Sequence, residues 1–183
     1  MDIIDGLPKL THKIVQDYDK LTKFTDALKD LNQKVVVTIG TWDMLHIGHV
    51  RYLNKARHHG DVLLVGVDSD RSVKSYKGPL RPIIPENERV EMLSYQSCVD
   101  LVTVIDDVDK QGKWNYELIK KVRPDVFVAV EDSYPESQLA DIRKYCGEVV
   151  VLPRQAENTS TSKLIQTTLK KHLLEMLSAI DAR

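Results

Sequence analysis

Apolar positions along the chain keep two rhythms. Near-continuous β-branched runs recur at Lys34 to Ile39, Val62 to Val67, Val99 to Ile105, Val126 to Val130 and Glu148 to Leu152. Runs of this kind suit parallel strands buried on both faces. Between them the spacing changes to steps of three and four, the period of an amphipathic helix. Strand and helix therefore alternate with short connections. That order predicts an α/β fold with a doubly wound, parallel five-stranded sheet and flanking helices.

The helical rhythm begins before the first strand. Ile14, Tyr18, Leu21, Phe24, Leu28 and Leu31 form one stripe across residues 10–31, with Asp19 or Thr22 able to cap a second segment. Such a stripe fits a helix packed on the flank of the sheet, or a dimer contact. A second helix is expected from Val50 to Arg57, with Tyr52, Leu53 and Ala56 inward and Gly60 ending it. Ser72 and Val73 fall in a short helix, and Lys74 to Pro85, with three prolines and a glycine, reads as loop. Pro85 and Glu86 open the next helix. Further helices are expected over Trp114 to Lys121 and Gln138 to Cys146. Ile165, Leu169, Leu173, Leu177 and Ile180 give a long last helix. These boundaries predict a helical extension over 1–33, a main domain over 34–168 and a C-terminal helix extension over 169–183.

Composition changes the picture little. The 183 residues suffice for one α/β domain, and 42% apolar with 29% charged is ordinary for a soluble globule. A net charge of −1 gives no reason to expect a nucleic-acid partner. No run approaches the ~18 apolar residues of a membrane helix. The start, MDIIDGLPKLTHK, lacks the basic and apolar blocks of a signal peptide, so a cytoplasmic protein is expected. Cys98 and Cys146 have no metal-binding spacing and read as buried thiols.

The candidate chemistry sits at the ends of strands. His46 and His49 flank Gly48 where the first strand turns into a helix. Free N–H groups and the positive end of a helix dipole suit an anion there, and two imidazoles can donate to a phosphate as charge builds on it. Gly48 leaves room for a closely approaching phosphate. Asp70 would bind acceptor hydroxyls, or Asp68 or Asp70 would cap the following helix. Lys74, Lys77 and Arg81 offer charge that can close over phosphates, with Lys77 the strongest candidate. Asp106, Asp107 and Asp109 could hold Mg²⁺, but a solvated turn suits them better. His58 and His59 read as solvated helix-end residues. Glu131, Asp132 and Ser133 end the fourth strand at the same crevice. After Arg154, the run Thr159, Ser160, Thr161, Ser162 opens the long helix. One hydroxyl would serve as an N-cap; four in succession favour phosphate binding.

The stretch from Gly40 through Thr41, Trp42 and Asp43 to His46, Gly48 and His49 resembles the G-T-F-D-x-x-H-x-G-H signature of the cytidylyltransferase-like nucleotidyltransferases. The likeness continues through Val67 to Asp70, Lys77 to Pro82, Glu88 to Leu93 and Ser160 to Ser162. It implies a Rossmann-like fold and transfer of a nucleoside monophosphate from a triphosphate to a phosphorylated acceptor. It implies Mg²⁺ arriving with the triphosphate, and a homodimer. By this resemblance His46, His49, Lys77 and Arg89 are the expected catalytic residues, Arg89 reaching the nucleotide phosphates unless it pairs with Glu88 or Glu91. Gly40, Thr41, Trp42, His46, Gly48, His49, Glu131, Asp132, Arg154, Thr159, Ser160, Thr161 and Ser162 are expected to hold the nucleotide. Asp43, Asp70 and Lys77 are expected at the acceptor. The Lys77 loop and the helix after His49 are most similar to adenylyltransferases acting on heptose 1-phosphate, although those usually carry K-G-G-D where this chain has Ala129–Val130–Glu131–Asp132. Glycerol-3-phosphate cytidylyltransferases come second, then flavin-nucleotide adenylyltransferases. A nucleotide-binding protein without chemistry is the remaining expectation.

Overall fold

A computed structural model describes residues 10–109 and 111–181, with side chains over 12–109 and 111–176. The five strands are β1 (Val35–Gly40), β2 (Val62–Asp68), β3 (Leu101–Ile105), β4 (Val126–Val130) and β5 (Glu148–Leu152). They form one sheet in the order β3-β2-β1-β4-β5, every pairing parallel. Side chains alternate between its faces. Val35, Val37 and Ile39 of β1 point into one core with Leu64 and Phe127, while Val36 points into another with Leu63, Val65 and Val67.

Each core is closed by its own helices. On one face lie α2 (Ile47–Arg57) and α4 (Glu86–Ser94), contributing Tyr52, Leu53, Val90 and Leu93. On the other lie α1 (Tyr18–Asp30), α5 (Glu117–Val122) and α6 (Glu136–Ile142), contributing Leu21, Leu118, Ile119 and Ile142. Each fully buried aliphatic side chain contributes roughly 1.5–3 kcal/mol. The remaining helices are α3 (Asp70–Lys77) and α7 (Thr161–Asp181).

The single helix expected over 10–31 is two pieces. Leu10–Lys13 is a 3₁₀ turn, Ile14 bridges in parallel to Val102, and α1 starts after Asp17, whose carboxylate caps it by accepting from Asp19 and Lys20. The Lys13 ammonium donates to the carbonyls of Gln96 and Val99. Gln16 accepts from the Val104 N–H, and the Tyr18 hydroxyl donates to its carbonyl. This segment covers the outer edge of β3, which would otherwise present unpaired backbone groups. The helix then packs on the sheet's flank through Leu21, with Leu31 exposed.

Other boundaries move too, and the helix expected over Gln138 to Cys146 is α6, Glu136–Ile142. Lys74 to Lys77 belong to α3, because Ser69 caps that helix and the chain breaks only at Gly78, where φ is +91°. Trp114 is not helical; it bridges antiparallel to Val108, and α5 begins three residues later. The Asp107 carboxylate accepts the Glu117 N–H and its carbonyl accepts the Asn115 N–H, which delays the helix. Gly60 does not turn left-handed as a helix-ending glycine would; a Cβ there would lie 2.8 Å from the Lys34 carbonyl oxygen, so close approach demands it. Residues 1–9, and the side chains of Leu177 and Ile180 in the expected terminal stripe, lie outside the described ones.

Candidate active site

Gly40, Asp68, Ile105 and Val130, the last residues of β1 to β4, line one cavity of about 1310 Å³. It therefore opens beyond the carboxyl ends of the strands, over the point where the sheet order reverses between β1 and β4.

The turn from β1 to α2 builds its centre. Trp42 and Met44 both take left-handed backbone, at φ 55° and 51°, uncommon for side-chain-bearing residues. The turn folds the Trp42 indole inward, where its N–H donates to the Gly66 carbonyl at 2.9 Å and its edge meets the His49 ring at 5.5 Å. His46 is the N-cap of α2: its Nδ1 accepts the Gly48 N–H at 3.1 Å. A neutral imidazole accepting at Nδ1 carries its proton on Nε2. The His46 and His49 rings stack 3.9 Å apart. His49 Nδ1 is buried with no hydrogen-bond partner. Burial, then the neighbouring His46 ring and the Lys77 charge, push His49 down to about 3; burial also lowers His46. Both shifts favour the neutral rings near pH 7. A Cβ on Gly48 would lie 2.9 Å from the His46 ring and 3.1 Å from the Ala156 Cβ, so the glycine leaves room for the imidazole.

Asp43 joins this turn to two distant segments. Its carboxylate, 1% exposed, accepts from Arg81 at 2.8 Å and from the N–H groups of Ile83 and Ile84. Burial alone would raise this carboxyl; the two N–H groups and the Arg81 guanidinium outweigh it and hold it below the usual range. Its backbone carbonyl accepts the Thr161 hydroxyl at 2.8 Å, across 118 positions of sequence. The histidines and the run from Thr159 to Ser162 consequently line the same cavity.

A model of the cytidylyltransferase-like family matches residues 37–171, from β1 into α7. The chain belongs to this family of nucleotidyltransferases. It is 37% identical over 164 residues to the bifunctional protein HldE of Syntrophotalea carbinolica, covering 85% of the chain and 32% of that protein. The HldE of Helicobacter hepaticus is 42% identical over 142 residues, 76% of the chain and 28% of that protein. The chain thus spans about a third of these relatives' length. Its fold resembles the lipopolysaccharide core biosynthesis protein of Thermoplasma volcanium, with TM-score 0.59 and 26% identity over 68% of the chain and 99% of that structure. The pantoate-beta-alanine ligase of Francisella tularensis shares the fold alone, with TM-score 0.52 and 15% identity over 79% of the chain and 67% of that structure.

Against the family signature, the cavity holds Gly40, Trp42, His46, Gly48, His49, Lys77, Asp132, Arg154, Thr159, Ser160, Thr161 and Ser162. Five expected residues are placed elsewhere. Arg89 is fully buried beneath the floor, donating to the carbonyls of Ile84, Thr41 and Asp68 and pairing with Asp70 at 2.7 Å. Its guanidinium is occupied by the ends of β1 and β2 rather than turned to a nucleotide, and its ionic partner is neither Glu88 nor Glu91. Asp70 is spent on Arg89 in turn, and Ser69 caps the helix. Asp43 is the hub described above, not a group facing an acceptor. The Thr41 hydroxyl is held 2.7 Å from that of Tyr76, which donates to Asp68. Glu131 accepts the Arg154 N–H, tying the ends of β4 and β5. In the helix-opening run, Ser160 accepts the Lys163 N–H as a plain cap and Thr161 holds Asp43, leaving Thr159 and Ser162 as the hydroxyls that face the cavity without another bond.

Lys77 reaches the cavity from the last turn of α3, its ammonium 5.6 Å from the centre of the Tyr76 ring. Burial and the nearby Arg81 make it easier to deprotonate than an ordinary lysine, against the pull of Asp68 and Asp43. Two tyrosines join the site: Tyr76, which carries no motif signal and donates to Asp68, and Tyr134, expected at this end of β4, whose hydroxyl donates to the Ile39 carbonyl. Both line the cavity, and no spacing in the sequence couples either to the histidines. Among the described residues no three His, Cys, Asp or Glu side chains are grouped to hold a metal ion, and no helix is long and apolar enough to cross a membrane.

Proposed function

We propose that the protein transfers the adenylyl group of ATP to a sugar phosphate such as heptose 1-phosphate, releasing pyrophosphate. An acceptor phosphate oxygen attacks the α-phosphorus. The bond from that phosphorus to the bridging oxygen breaks, and the electron pair leaves on pyrophosphate. The acceptor is already ionised, so no general base is needed; positioning and charge stabilisation do the chemistry. The Nε2 proton of His46 and the unpartnered ring of His49 meet charge building on the α-phosphate. Lys77 and Arg81 neutralise the acceptor and the transferred group. Thr159, Ser162 and the first N–H groups of α7 hold the outer phosphates. Mg²⁺ belongs to the triphosphate substrate.

The observation that supports this reading is the Thr161–Asp43 hydrogen bond, which ties the hydroxyl run to the turn that carries the two imidazoles. The heptose acceptor is supported by the similarity to HldE proteins and to a lipopolysaccharide core biosynthesis protein. On this reading the reaction runs in the cytoplasm. The working unit is a homodimer, for which the exposed Leu169, Leu173, Leu174 and Met176 of α7 offer an apolar face; light scattering should give twice the chain mass. Pyrophosphate release measured with ATP or CTP against heptose 1-phosphate, glycerol 3-phosphate and flavin mononucleotide tests the whole. Turnover is expected with ATP and heptose 1-phosphate. Turnover only with CTP and glycerol 3-phosphate would replace this reading.

A further inference from the structure

Lys77 occupies the last position of α3, just before the helix breaks at Gly78. The start of that helix is secured: Ser69 caps it, Asp70 pairs with Arg89, and Ser72 and Val73 are buried. The last turn is not. Lys74, Ser75 and Lys77 are exposed, and the Ser75 hydroxyl donates within the helix, to the Ser72 carbonyl. A Cβ on Gly78 would meet nothing within 4 Å, and Leu80 beyond it is 86% exposed. Arg81 on Asp43 is the next side-chain tie along the chain. A short helix with such an end frays, because its last carbonyls lack partners and so few turns supply little cooperativity. Yet a charge that acts on a phosphate must be placed closely: a displacement of about 1 Å can cost about a hundredfold in rate.

Tyr76 supplies the missing tie. Its hydroxyl sits between groups from two strands. It donates to Asp68 Oδ2, at the end of β2, at 2.6 Å, and lies 2.7 Å from Thr41 Oγ1, just past β1. A phenol has one proton; with that proton on the carboxylate, Thr41 donates to the phenolic oxygen. Among the described residues these are the only side-chain hydrogen bonds that join the 74–77 turn to the sheet.

The Tyr76 ring in turn stands beside the Lys77 ammonium, at 5.6 Å from its centre, within cation–π range. Among the described residues Lys77 forms no ion pair. Asp68 acts on it from further off: burial raises that carboxyl, and the Tyr76 donation and the Lys77 and Arg89 charges pull it back. The place of the ammonium is therefore set by the turn that carries it and by the ring next to it. We propose that Tyr76 is a positioning residue for Lys77: its hydroxyl, gripped by Thr41 and Asp68, pins the last turn of α3 to the ends of β1 and β2 and keeps the ammonium over the phosphate being transferred.

This role rests on the nucleotidyl-transfer reading, and the test separates the two. Tyr76→Phe removes both bonds and keeps the ring beside Lys77. With whichever triphosphate and acceptor turn over, kcat at saturation should fall about tenfold, as for two lost hydrogen bonds. In a Lys77→Met background the same change should cost less than about twofold, since the group it positions is gone. An equal fall in both backgrounds would overturn the proposal, because a role independent of Lys77 adds; so would no fall in the first. Amide hydrogen exchange reads the same tie without turnover. The Gly78 N–H donates to the Lys74 carbonyl at 3.1 Å. It should exchange about tenfold faster in Tyr76→Phe, with the α4 amides unchanged. An unchanged Gly78 rate would overturn the proposal whatever the kinetics, as would an equal acceleration across α4. If the wild type releases no pyrophosphate with any pair, the transfer reading fails and exchange alone judges the tie: faster exchange at Gly78 supports it and equal exchange ends it. If Tyr76→Phe melts early, Thr41→Val, which removes one bond of the two, carries both measurements with effects of about threefold.

Discussion

Individual side chains divide into those that face the cavity and those that hold its walls. His46 and His49 face it, and their replacement by Ala should cut turnover by about 10²–10³, the usual cost of one preorganised donor. Their melting temperatures should change little by comparison. Gly48→Ala should lower turnover as well, because the new methyl displaces the His46 ring or Ala156. The same burial sets a pH dependence. His49 binds its proton in the folded chain only near pH 3, and an unfolded imidazole binds near 6.5. Between those values the unfolded state holds more protons, so His49 makes stability fall as pH falls below about 6.5, by at most about 1.4 kcal/mol per unit. Denaturant titrations from pH 7 to pH 5 should show this slope, and His49→Gln should flatten it. The histidines were legible because the H-x-G-H spacing follows a buried strand. The fate of Arg89 was not: its charge reads the same whether it meets a phosphate or three backbone carbonyls.

Elements are held to one another by a few polar ties. Arg89 binds the ends of β1 and β2 to α3, and removing a buried charge's partner typically costs about 3–5 kcal/mol. Arg89→Ala should therefore destabilise by about that much, as read from urea unfolding, whereas a phosphate-binding arginine would lose activity and keep its stability. Thr161→Val removes the tie between α7 and the histidine turn while keeping the side chain's shape. It should cost only about 1 kcal/mol in stability yet weaken ATP binding measurably, because the hydroxyl run loses its register over the imidazoles. The strands themselves were readable from composition, since a β-branched run buried on both faces has few alternatives. The helix ends were harder. Lys74 to Lys77 continue a helix because prolines act only from Pro79 onward, and Trp114 leaves one because a distant carboxylate takes the Glu117 N–H. Contacts of that range leave no periodic trace.

Across the whole molecule, the site is a product of strand order. Four strands end in one cavity, and the segments following β1 and β5 meet over it only because β4 lies between them. Binding of Mg-ATP should consequently stabilise the entire sheet, by about 2.7 kcal/mol at a hundredfold excess over Kd. A thermal shift that His46→Ala and Thr161→Val both diminish would check it. Asp43 gives this arrangement a further consequence. One buried residue clamps the basic loop through its carboxylate and α7 through its carbonyl, so the transferring half of the cavity behaves as a single casting. The segment carrying Asp107 and Trp114 hangs outside that casting, from a short hairpin. An engineer could exchange that hairpin for another and leave the casting untouched.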